Sequence, residues 1–152
     1  KMFSIFGNSI SDFIKAHSEA VIATIDAEGR PSTSVIFYVI GEKDEMFFIT
    51  KTKTAKYENL KLNNKAALTI VDKIKPIAVN SIGTTFEITD VADKDKIMQA
   101  VFKLSYSELH DYAPIIKLHK GSFTVLKFSP TMAKMTDFTK PLGEAKEDLK
   151  QY

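Results

Sequence analysis

Between Thr50 and Lys56 the sequence reads TKTKTAK, three threonines and three lysines in seven residues, directly after the apolar run MFFIT. Hydroxyls and ammonium groups at a helix start are the donors that hold a phosphate. Such a group carries about −1.5 to −2 charges at neutral pH and three strong acceptor oxygens. It takes hydroxyl donors, a lysine point charge and the free amides of a helix N-terminus. Here Thr50 ends the strand, Thr54 is placed to cap the helix, and Lys56 lies in its first turn. Lys51 and Lys53 add charge, although neighbours on an extended segment face opposite ways, so one of them points to solvent. Taken alone, the stretch is better explained as a capped helix on a hydrated loop, because runs of charge are usually solvated faces.

Other chemistry finds little support. His17, His110 and His119 are far apart, with no ligand pair at helical spacing, so no metal site is expected. LHDY and KLHKG read as surface histidines before catalytic acids. The sequence has no Gly-x-Ser-x-Gly elbow and no dinucleotide fingerprint. Without cysteine there is no thiolate nucleophile and no disulfide framework. Of 21 basic residues one is arginine, Arg30, and the rest are lysines. Sequence-specific readers of nucleic acid lean on arginine for bidentate contacts, so no nucleic-acid partner is expected.

The elements that must position the Thr50–Lys56 stretch follow from periodicity. Ile10, Phe13 and Ile14 fall at helical spacing after Ser9 or Ser11, predicting a short helix over 9–17. AVIATID, STSVIFYVI and MFFIT then read as three strands joined by the turns AEGRP and GEKDE, an antiparallel meander. After the helix from Thr54 come the strand AALTIVD, a break at KIKP, and the long strand IAVNSIGTTFEITD. A helix over DKDKIMQAVFKLS sets Ile97, Val101 and Leu104 on one face. The less regular YSELHDYAPIIKLHKG leads into two further strands, SFTVLKFSP and MAKMTDF. Hairpin-connected strands with few helices predict a mainly β fold, a six- to seven-stranded antiparallel barrel with two or three peripheral helices.

The bulk numbers fit one domain. With 152 residues, 44% of them hydrophobic and eleven of them Phe, the chain can enclose a real core. The domain is expected over residues 1–138. Residues 139–152 form a polar tail, a frayed helix or disordered. Apolar stretches such as SVIFYVIG are too short to span a bilayer, and the first residues do not resemble a signal peptide. No membrane partner and a cytoplasmic location are therefore expected.

Three patterns in order resemble the FMN-binding split barrel of the pyridoxamine 5'-phosphate oxidase type. They are the hairpin ATIDAEGRPSTSVIFYV, the stretch MFFITKTKTAKYENLKLNNKAALTIVD with its Thr-Lys, Thr-x-Lys and Asn-Leu, and IAVNSIGTTFEITD with Gly83 inside the strand. VLKFSPTMAKMTDF is similar to the family's closing strand pair, with Pro130 between. With these patterns in register, the phosphate reading of Thr50–Lys56 overtakes the hydrated loop. The resemblance implies FMN as cofactor, its phosphate at Thr50, Thr54 and Lys56 with help from Lys51, since Ala55 stands where an arginine is often found. It implies the flavin ring along the backbone of Ser34, Ile36 and Phe37, with Ile49 nearby. The side chains of Ile36, Phe37 and Ile49 read as plain barrel core.

The resemblance also implies a homodimer, for which the aromatic load of Phe37, Phe47, Phe48, Phe86, Phe123 and Phe128, more than a narrow barrel needs, is expected to supply an apolar interface. The oxidase's own arginines, tryptophan and glutamine are not matched: the chain has one Arg, no Trp, and Ala78 about where the glutamine would be. It is therefore similar to a short general-stress-protein-type relative rather than to the vitamin oxidase. The expected function is FMN binding with oxidoreductase activity on a small substrate, a nicotinamide being a possible donor. The alternative is a non-catalytic flavin carrier, sensor or stress-response binding protein. Haem, bound in one branch of the fold, would have His119 as its best axial ligand. No catalytic side chain stands out.

Overall fold

The computed structural model describes residues 2–108, 123–141 and 148–152. Helix α1 (Met2–Ala16) is followed by strands β1 (Glu19–Ile25), β2 (Pro31–Ile40) and β3 (Met46–Lys51), with a single turn at Glu42–Asp44 between the last two. Then come α2 (Ala55–Leu62), β4 (Lys65–Val71), β5 (Ile77–Glu87), α3 (Val91–Glu108), β6 (Phe123–Asp137) and β7 (Asp148–Gln151). The strands lie in the order β3-β2-β1-β4-β5-β6-β7, and a further β3–β6 pairing closes the first six into an antiparallel barrel. This is the mainly β architecture that the periodicity predicts, with three α-helices among the described residues where two or three were expected.

Alternation decides which residues fill the barrel. Ala20 and Ile22, Met46 and Phe48, Leu68 and Ile70 point inward and join Ile36, Tyr38, Val79 and Phe128 in one core. Ile10 and Ile14 of α1 are wholly enclosed in it, and the buried Tyr38 hydroxyl donates to Ile14 O at 2.7 Å. The turn DAEG closes the first hairpin because Gly29 adopts φ +78°, which favours glycine. The Asp26 carboxylate accepts from the Glu28 and Arg30 amides and from Arg30 Nε. Arg30 is exposed and occupied in this turn, also reaching Glu28.

Three elements differ from the sequence expectation. Helix α1 starts at Met2, earlier than the periodic stretch. The two closing strands around Pro130 are one 15-residue strand. Pro130 has no amide to pair, but the β5–β6 register shifts here: Ile82 faces Met132 and Gly83 faces Pro130, which leaves Thr131 as a bulge residue. Gly83 is required at this point, since a Cβ there would lie 2.2 Å from Ser129 O. The polar tail holds β7, which pairs with Met132–Met135 of β6.

Asp44 anchors that last strand. Its buried carboxylate accepts from Ser11 Oγ (2.7 Å), from Lys150 Nζ (2.8 Å) and from the Tyr152 hydroxyl. The Lys150 ammonium also donates to Ser11 Oγ at 2.7 Å and sits over the Tyr152 ring at 4.6 Å.

Candidate functional site

The barrel is split where β2 and β3 part. They pair only where Tyr38, Val39 and Ile40 face Phe48, Phe47 and Met46. Beyond that, residues 31–37 of β2 stay paired to β1, and Ile49–Lys51 of β3 to β6. Among the described residues no strand covers the other edge of β2 over residues 31–37. A bare strand edge carries alternating amide donors and carbonyl acceptors, the groups a flat heterocycle with N–H and C=O on one side can use. Ser34, Ile36 and Phe37 lie on this stretch. Ile36 is buried in the core, while Ser34 and Phe37 are half-buried, and Phe37 lines an outer cleft with His17, Val21 and Val71. Ile49 is half-buried on the parting stretch of β3.

The Thr50–Lys56 turn connects β3 to α2, which packs against β1, β2 and β3. Thr54 is the N-cap: its Oγ1 accepts from Tyr57 N at 3.3 Å and donates to Lys51 O at 2.9 Å. Thr50 is 3% exposed, so its side chain points into the barrel, with Oγ1 3.1 Å from Thr54 Oγ1. It braces the cap from behind. Lys51 leans outward, its ammonium 5.9 Å from the centre of the Phe123 ring, and Lys53 is exposed. Lys56 differs from both. It is half-buried, and loss of hydration holds its ammonium below the ordinary lysine pKa. Among the described residues no carboxylate pairs with it, and the Ala55 and Lys56 amides have no partner. A partly desolvated cation beside free helix-start amides is what an anion can complete.

Residues the sequence reading did not single out form the wall behind this turn. Four buried polar side chains, Thr24, Asn59, Thr85 and Thr124, belong to strand ends or to α2 on this side of the barrel. Tyr57 of α2 donates to the Glu87 carboxylate at 3.0 Å, and Thr124 Oγ1 donates to the same group at 2.7 Å. Asn59 Nδ2 donates to Thr24 Oγ1 at 3.0 Å and to Ser32 Oγ at 3.3 Å. The Asn-Leu pair after the turn and the acidic end of the long strand were the available signals. Of the histidines, His17 has both ring nitrogens engaged, by Phe13 O (2.6 Å) and Asp72 (2.9 Å). His110 and His119 lie outside the described residues. No group of metal-ligating side chains occurs among the described residues.

A sequence profile of the family described as Pyridoxamine 5'-phosphate oxidase matches residues 6–137. The chain belongs to the pyridoxamine 5'-phosphate oxidase family. Solved structures of similar fold include a Clostridium acetobutylicum protein related to general stress protein 26 of B. subtilis. It is 18% identical, with a TM-score of 0.71 over 96% of this chain and 94% of that one. An FMN-binding, pyridoxamine 5'-phosphate oxidase-related protein of Nostoc punctiforme is 15% identical, with a TM-score of 0.60 over 99% and 93%. The haem storage protein HutZ of Vibrio cholerae is also 15% identical, with a TM-score of 0.60 over 81% and 88%. At such identities these likenesses speak for the fold of the family alone. No curated protein matches the sequence.

Proposed function

We propose that this member of the pyridoxamine 5'-phosphate oxidase family binds FMN in the split between β2 and β3, with the phosphate at the start of α2. The carrying observation is Lys56, a half-buried ammonium without a carboxylate partner among the described residues, next to two unpaired helix-start amides. The residues fit the group. Lys56 and the amides of Ala55 and Lys56 would hold the phosphate, Thr54 and Thr50 would keep the turn in shape, and the free edge of β2 from Ser34 to Phe37 would meet the ring. Lys51 adds long-range charge from outside. FMN, when bound, supplies the redox chemistry, and the protein binds and orients it.

The activity this supports is a flavin-dependent oxidoreductase acting on a small molecule, with a nicotinamide as candidate donor. Reduction by NADH or NADPH under anaerobic conditions distinguishes it from a flavin carrier. The vitamin oxidase reaction is not proposed: Arg30 is committed to an exposed turn, and Ala78 stands where the glutamine would be. Among the described residues His17 is not a free axial ligand for haem, because both of its ring nitrogens are engaged, and His119 lies outside them. A homodimer is proposed through the outer face of β1, β2, β4 and β5, where Val21, Ile25, Val35, Val71 and Ile82 are exposed. Phe48 and Phe128, by contrast, are wholly enclosed in the core, so the aromatic count is not the mark of this interface.

The test is the ratio of FMN to riboflavin affinity. Losing a charge-assisted contact costs about 1.5–3 kcal/mol, so Lys56→Ala is expected to weaken FMN binding roughly 10- to 150-fold. Riboflavin, which lacks the phosphate, is expected to bind the variant as it binds the wild type. An unchanged ratio would return the turn to a hydrated connection.

A further inference from the structure

The two halves of the proposed site sit on different elements: the phosphate end on the first turn of α2, the ring edge on β2. Something must hold one relative to the other. The apolar grip of α2 is small, since Tyr57, Asn59 and Leu60 are its only buried residues and one of those is polar. An eight-residue helix held by one leucine and one tyrosine ring has little to stop it sliding along its axis.

Hydrogen bonds supply the missing direction. Asn59 lies one turn after Lys56, at i+3. Both of its Nδ2 contacts, Thr24 Oγ1 at 3.0 Å and Ser32 Oγ at 3.3 Å, reach residues that face each other across the β1–β2 ladder. These two hydroxyls are themselves 3.3 Å apart, so the three groups form a closed triangle. Ser32 is two residues before Ser34 on β2 and therefore on the same side of that strand. On the other side of the helix, Tyr57 is tied through Glu87 to Thr124.

Packing alone does not call for asparagine here. It is a poorer helix former than leucine, and burying its carboxamide costs free energy unless each group is bonded. Leucine would cover a similar surface but impose no registry.

We infer that Asn59 is a positioning residue of the FMN site: by locking α2 onto β1 and β2 it fixes the distance between the phosphate turn and the ring edge. This rests on the FMN reading above. A ligand that spans both halves depends on that distance. A ligand that touches one half does not, because its contacts move with it.

The test titrates the 152-residue chain and its Asn59→Leu variant with FMN, riboflavin and inorganic phosphate. Asn59→Leu leaves Thr24 and Ser32 to bond to each other, so no buried hydroxyl is stranded. FMN is expected to bind about tenfold more weakly, within the coupling that bonded neighbours show, while riboflavin and phosphate stay within about twofold of wild type. Ser32→Ala, at an exposed position, is expected to lose about threefold for FMN by the same coupling, and it carries the test if Asn59→Leu does not fold. FMN binding unchanged in both folded variants overturns the inference, and so does an equal loss for riboflavin, which would mark general loosening. A wild-type chain with no preference for FMN over riboflavin overturns the phosphate reading itself, and this inference with it.

Discussion

Replacing Asp44 is expected to release the last strand of the sheet. Its side chain is 4% exposed and accepts from three donors, Ser11 of α1, Lys150 of β7 and Tyr152 just after it. Asp44→Ala would leave the Lys150 ammonium, about a quarter exposed, with Ser11 as its remaining bonded partner. Breaking a fully buried pair costs about 3–5 kcal/mol. The residual hydration of Lys150 lowers that to about 2–4 kcal/mol. At about 2–4 °C per kcal/mol for a chain of this size, the melting temperature should fall by about 4–16 °C. Asp44 also has φ +60°, a conformation asparagine tolerates and alanine does not. Asp44→Asn should therefore cost less, isolating the charge.

The pH dependence has a definite sign. Burial alone would raise the Asp44 pKa, but the bonds from Lys150, Tyr152 and Ser11 outweigh it and hold the group below its usual value. A lowered carboxylate contributes stability that is complete above the unfolded value, near 3.9, and is lost as pH falls through the folded value. The gap in melting temperature between wild type and Asp44→Asn should be constant near neutrality and shrink below about pH 4. Thermal melts across that range, with amide exchange of residues 148–151, read both effects. If Asp44→Ala melts within about 1 °C of wild type at neutral pH, or the gap widens in acid, the carboxylate is not the anchor described.

Gly83→Ala should destabilise by 3 kcal/mol or more, above the usual ~1–3 kcal/mol of overpacking, because the obstacle is the Ser129 backbone rather than a movable side chain. Denaturant unfolding checks this, and a cost under about 1 kcal/mol would mean that the bulge can shift. Val35→Glu places a charge in the proposed dimer face, at a position 53% exposed in the single chain. It should convert a dimer to a 17-kDa monomer in light scattering while leaving each chain folded. A wild-type chain that is already monomeric would refute the interface.

Much of the barrel was legible because each strand's alternation is local. The Thr54 cap could be read from residue type and position, and the capping bond to Tyr57 bears it out. What escaped depends on partners distant in sequence. β7 looks like a solvated tail because Lys150 and Tyr152 are polar, and their polarity makes sense only against Asp44, more than a hundred residues away. Pro130 read as a break because the bulge that excuses its missing amide belongs to the β5 pairing. Strand parity turns Thr50 into the barrel, where its hydroxyl meets that of Thr54, a contact that depends on how the turn folds back. Asn59 and Glu87 stood in the quoted patterns, but which hydroxyls they meet is decided by how α2 crosses the strand ends.

The closure of the barrel through β6 bears on how the chain survives its own synthesis. β3 ends at Lys51 and β6 begins at Phe123, so the strand that seals the barrel is made more than seventy residues after the one it must meet. Until then β3 and β5 are both open edges, since β6 is the partner that covers each. Met46 and Phe48, enclosed in the finished fold, have no lid on that side. Long-range pairing of this kind is slow, and bare apolar edges invite pairing with other chains. A ribosome-bound fragment ending before Phe123 is thus the form of this protein with most need of a chaperone.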